Sequence, residues 1–220
     1  QLADRDYIKA AEQYQLVISG YPESELYDDV IRRQYEVGDT LFDIGQNRAD
    51  KIQNAKFWRL DKKWTFFRYR PLRKAIEVYT MVIDNEPFTD TAAEAQYKVG
   101  LCYFTRGEYE NARFEYLRVL EDYRSSEWLQ EALYGLALSY ENLSHPPAYD
   151  QTPSQMTINT IGEYEQQYPD DPRLERMLEV STQMTENIAE QHLTTAKNYE
   201  KRSKPLAARM TYALLYEEYG

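Results

Sequence analysis

Apolar and small residues along the chain recur at spacings of three and four, the period of a helix. One pattern returns five times. A small or short residue stands at Ala10, Ala75, Ala112, Thr157 and Ala208, and four positions later come Tyr14, Tyr79, Tyr116, Ile161 and Tyr212. Three positions further on are Val17, Val82, Val119, Tyr164 and Leu215, and the copies close on Tyr21-Pro22, Glu86-Pro87, Tyr123-Arg124, Tyr168-Pro169 and Tyr219-Gly220. Agreement at four offsets in five copies makes this a repeat protein.

A second periodic segment precedes each copy: Val99-Gly100 with Tyr103, Leu136-Ala137 with Tyr140, Thr195-Ala196 with Tyr199, and more loosely Val37-Gly38 with Leu41. A small residue facing an aromatic ring lets two helices approach closely, with the ring filling the gap. These copies resemble the tetratricopeptide repeat, a helix pair of about 34 residues. The expectation is an all-α fold, a right-handed α-α superhelix of about five repeats, forming one domain over 1–220. Thr91-Ala92-Ala93-Glu94 reads as a capping box, and Ser24 and Ser126 stand where N-caps belong. Asp171-Pro172 reads as a cap followed by proline at the first helical position. The face Leu174, Met177, Ser181, Met184, Ile188, His192, Thr195 and Tyr199 predicts a helix of roughly 45 Å.

Composition narrows the chemistry. The 26 Lys and Arg against 37 Asp and Glu give a net charge of −11, which argues against general nucleic-acid binding. The chain has two His and one Cys, and neither His145 nor His192 has a second ligand at metal-binding spacing. No nucleotide-binding, metalloprotease or nucleophile-elbow motif is present, so no catalytic residue, metal or cofactor is expected. Cys102 reads as a packed small residue. No apolar run is long enough to span a membrane.

Two segments interrupt the repeats. Residues at about 142–153 read as a loop insertion. Residues at about 46–71 carry eight Lys or Arg against two Asp, a net +6 that leaves −17 elsewhere. Trp58, Trp64, Phe66 and Phe67 lie there with Arg68, as contact candidates. Three accounts of this segment stand: a membrane surface, an acidic partner subunit, or the acidic remainder of this protein.

In such an array the first helix of each pair lines the concave face. The inward positions are Arg32, Tyr35, Asp39 and Phe42, then Glu94, Tyr97, Leu101 and Phe104, then Glu131, Tyr134, Leu138 and Glu141. Tyr35, Tyr97 and Tyr134 share one position. That column, with Phe42, Leu101 and Phe104, suits an extended or helical peptide with apolar side chains. Packing between adjacent repeats is the other reading.

The stretch Ala10 to Glu25, the near repeat Ala112 to Glu127, and Ala196 to Arg202 followed by Ala207-Ala208-Arg209 together resemble the outer-membrane assembly lipoprotein family BamD. Ser203 stands where that family usually has Gly. The resemblance implies a non-catalytic, lipid-anchored periplasmic protein at the inner leaflet of the outer membrane. Its front repeats would receive segments of unfolded outer-membrane clients, and its last repeats would dock on the barrel-forming subunit. The chain opens on Gln1-Leu2-Ala3 and reads as a piece of a longer protein, the lipid-bearing Cys lying before it. Repeat adaptors of the Tol-Pal or cell-division type share the Tyr-Pro-x-Ser joints. A cytoplasmic repeat regulator or chaperone is the alternative from another class.

Overall fold

The computed structural model describes residues 2–53 and 69–219, with side-chain surroundings over 6–50 and 69–219. Among these there are nine helices and no strand. They are α1 (Leu2–Gly20), α2 (Tyr27–Gln53), α3 (Arg70–Asn85), α4 (Asp90–Thr105), α5 (Tyr109–Asp122), α6 (Leu129–Leu143), α7 (Thr152–Gln167), α8 (Leu174–Lys201) and α9 (Pro205–Tyr219). Two compact units result, residues 1–135 and 136–220, with the division falling inside α6. In the first, α1, α2, α3, α4 and α5 each pack on the next; in the second, α7 packs on α8 and α8 on α9.

The repeated small and aromatic positions make the helix crossings. Ala75, Tyr79 and Val82 of α3 are buried, as are Ala112, Tyr116 and Val119 of α5 and Thr157, Ile161 and Tyr164 of α7. Tyr116 shows why the small residues are needed. Its ring fills the space that side chains on Gly100 and Gly135 would occupy, since a Cβ there would come within 2.7 and 2.6 Å of ring carbons. Both first helices therefore approach one ring.

On α1 the buried face is shifted by one residue from the predicted one. Ala11 and Ile18 are buried, whereas Ala10 and Tyr14 are half-buried and Val17 is exposed. The cause is polar. Gln15 exchanges amide hydrogen bonds with Asn85 of α3 at 2.9 Å each way, and the fully buried Gln34 of α2 donates to Gln15 at 3.0 Å. Gln34 also donates to the Ala11 carbonyl, and Asn85 donates to Gln34. Satisfying the buried Gln34 amide and its half-buried partners fixes the rotation of α1.

The four described joints between repeats share one turn. The amides of Ser24, Thr89, Ser126 and Asp171 each donate to the carbonyl three residues back, at Tyr21, Glu86, Tyr123 and Tyr168. Their side-chain oxygens in turn accept from the amides of Leu26, Ala92, Trp128 and Arg173. Two predicted caps move accordingly. Thr89, in an extended conformation, caps α4 in place of Thr91, which lies inside the first turn. Pro172 lies in a turn before α8 begins at Leu174, so Asp171 heads that turn.

Helices α4 and α8 end alike. Gly107 has φ 76°, and the amides of Gly107 and Glu108 donate to the carbonyls of Phe104 and Tyr103. Ser203 has φ 55°, with the amides of Ser203 and Lys204 donating to Glu200 and Tyr199. This is the left-handed helix stop that glycine adopts without strain. Ser203→Gly is expected to stabilise the second unit by about 0.5–1 kcal/mol, read as a higher urea midpoint, because the side chain there is strained. A lower midpoint would show that Ser203 makes an interaction worth more than the strain.

Candidate functional site

The predicted site residues of α2, α4 and α6 are Tyr35, Phe42, Tyr97, Leu101, Phe104 and Tyr134, and all are half-buried. Tyr35 and Phe42 lean on the core of the first unit. The Tyr35 ring lies 5.6 Å from that of Tyr79, and Lys98 Nζ stands 5.0 Å from its centre. Tyr97 lies 5.8 Å from Tyr116 and stacks on Trp128 at 5.1 Å, 22° from parallel. Phe104 meets the edge of Tyr109 at 5.2 Å. The rings of Tyr35, Tyr97 and Phe104 are thus each engaged in packing while staying only half-buried.

Between the Tyr35 and Tyr97 levels runs a polar bridge. Asp39 of α2 accepts from the Tyr79 hydroxyl at 2.6 Å and from Lys98 Nζ of α4 at 2.7 Å. Lys98 also lies 3.3 Å from Glu94. Burial, then the Asp39 carboxylate beside it, pushes the Tyr79 phenol far up; burial above all does the same to Tyr35. The Tyr35 hydroxyl is buried with no hydrogen-bond partner among the described residues. Burial likewise raises the Cys102 thiol, the opposite of nucleophile activation. Among the described residues, no cluster of His, Cys, Asp or Glu could hold a metal.

The second unit carries a surface that periodicity did not single out. Lys197, Lys201, Arg202, Lys204 and Arg209 surround the α8–α9 turn, all exposed. None of them has an ion pair among the described residues. Below them lies a cavity of about 650 Å³, lined by Ser203, Ala208, Arg209 and Tyr212, with Glu200 accepting from the Tyr212 hydroxyl at 3.2 Å. Leu206 and Met210 stand beside it, 71% and 66% exposed. Read as a string, this cluster is only a polar helix end; that its members gather around one turn shows once α8 and α9 are paired.

Of the basic segment, Gln46 to Gln53 continue α2, and α3 begins at Arg70. Trp58, Trp64, Phe66, Phe67 and Arg68 lie outside the described residues. The 142–153 loop is narrower than its predicted span, 144–151, and is tied by one side chain: Gln151 donates to the carbonyls of His145, Pro146 and Tyr149.

Sequential helix pairs without strands define the described residues as a helical-repeat protein of tetratricopeptide type. A family model described as YfiO, outer membrane lipoprotein, matches residues 68–220, more than half of the chain. The protein belongs to this family, the BamD family. No curated protein matches the chain. The family match starts two residues before α3, so α1, α2 and most of the basic segment lie outside it. Among the described residues no helix is long and apolar enough to cross a membrane.

Proposed function

We propose that this protein is a non-catalytic periplasmic scaffold of the machinery that assembles β-barrel proteins into the outer membrane. It is tethered to the inner leaflet by a lipid anchor outside residues 1–220. The half-buried column of Tyr35, Tyr97 and Tyr134 receives an apolar or aromatic segment of an unfolded client. The α8–α9 end docks a partner subunit of the assembly. The observation that carries the reading is the five exposed cations beside Leu206 and Met210, which have no ion pair among the described residues and lie within the family match. Exposed charge outside any ion pair, next to exposed apolar side chains, is what a protein partner neutralises and covers.

The test has two arms. Tyr35→Ala, Tyr97→Ala and Tyr134→Ala combined should weaken binding of a peptide from a client's terminal strand, hot-spot aromatics costing about 2 kcal/mol each. Lys201→Glu with Arg202→Glu should abolish capture of the partner's soluble domains while leaving that peptide bound. Full client binding in a folded triple variant would place clients elsewhere. A collapse of the melting temperature in that variant would assign the column to packing.

A further inference from the structure

The four repeat joints have a common backbone, but one of them carries a different side chain at its third position. Glu23, Ser125 and Asp170 occupy that position in three joints, and Phe88 in the fourth. Phe88 is 95% exposed, the most exposed large apolar side chain described. Its turn is fixed by Pro87 before it and by Thr89, whose hydroxyl donates to the Glu86 carbonyl at 3.0 Å. An aromatic ring held in water on a rigid turn gains nothing from folding.

The ring borders a cleft of about 390 Å³ between the α3–α4 and α5–α6 joints, with Asp90, Glu121, Asp122, Tyr123 and Ser126 on its walls. Glu121 and Asp122 occupy the last turn of α5, where the helix dipole disfavours anions. None of the three carboxylates has an ion pair among the described residues. Arg124, also on the wall, donates to the Glu121 main-chain oxygen at 3.3 Å, and the rim keeps a net negative charge. The cleft therefore offers one aromatic knob and uncompensated acid, the complement of a segment rich in Lys, Arg and aromatic side chains.

This chain contains such a segment. Residues 54–68 hold Lys56, Arg59, Lys62, Lys63 and Arg68 with Phe57, Trp58, Trp64, Phe66 and Phe67. They join α2 to α3 at the end of α3 opposite Phe88, about 24 Å away along sixteen helical residues. The middle of the segment is about eight residues from either anchor, a reach of at most about 26 Å when fully extended. Only a taut, straight chain would reach the cleft of the same molecule. A second copy is under no such restraint. We propose that the Phe88 cleft is a docking site for the 54–68 segment of a second copy of this chain, and that the protein self-associates through it.

Sedimentation velocity of the whole chain over two decades of concentration tests this, at low and at high salt. Concentration-dependent association, weakened by salt, is expected. Phe88→Ser and the pair Glu121→Lys, Asp122→Lys should each weaken it by about tenfold or more while leaving the melting temperature unchanged. A labelled synthetic peptide of residues 54–68 should bind the chain, measured by fluorescence anisotropy, with the same ranking of variants. A chain that stays monomeric throughout overturns the proposal, even if the peptide binds. Association, or peptide binding, indifferent to both sets of variants overturns it as well. Neither result bears on the client or partner arms above, whose variants lie elsewhere.

Discussion

Tyr116→Ala should cost about 3–5 kcal/mol of stability, the largest loss expected from any single truncation here. The ring is 1% exposed and is the common neighbour of Gly100, Gly135 and Tyr97. Removing it deletes apolar contact and leaves a hole bounded by two glycines, which have no side chains to move into it. Relaxation would require α4 and α6 to close on α5, against the packing of their other faces. Urea unfolding followed by circular dichroism measures the effect. A loss below about 1.5 kcal/mol would show that the helices do close, and that the glycines set the spacing loosely. Tyr97→Ala, at a half-buried ring in the same cluster, should cost clearly less.

Asp171→Ala should be the second largest, at about 1.5–3 kcal/mol, because it removes an ionised acceptor from several donors at once. The Asp171 side chain is 7% exposed. Its oxygens accept from the Tyr164 hydroxyl at 2.8 Å, the Arg173 amide at 2.7 Å and the Arg173 guanidinium at 2.9 Å. The guanidinium, first among these, holds the carboxyl well below the usual carboxylate range. A depressed folded-state pKa means that the contribution is complete above the ordinary value of about 3.9 and is lost as pH falls below it. The difference between the parent and Asp171→Ala should therefore be constant near neutrality and shrink progressively between about pH 5 and pH 2. A difference that grows on acidification would contradict the assignment.

The helix pairs were legible because burial of a small residue, an aromatic four later and an apolar residue three further on is a local, periodic demand. Ala75-Tyr79-Val82 and Ala112-Tyr116-Val119 meet it fully. On α1 the same rule put Tyr14 inside, and it failed because Gln15 satisfies its amide on α2 and α3, a hydrogen-bonding fact invisible to an apolar pattern. Thr89 and Thr91 both stand before an apolar run, and only the extended backbone at Thr89 decides which one caps. In the candidate site the tyrosine column was legible as a repeated position. The Asp39–Lys98 bridge was not, since its partners are 59 residues apart and neither breaks the periodicity around it. Similarly, the string shows that Phe88 is apolar but not that the turn holds it in water.

The attachment of α1 has a different character from the contacts that hold the rest. Gln15, Gln34 and Asn85 carry no charge, and no proton enters or leaves them across the range in which a protein survives. Ionic strength, which screens the Lys98 bridge, and acid, which discharges Asp171, leave this amide trio as it was. Strong acid should thus loosen the α7–α8 joint, and high salt the α2–α4 bridge, while α1 keeps its place. Helix α1, which lies wholly outside the family match, is on this account the part of the molecule whose seating owes least to the surrounding solution.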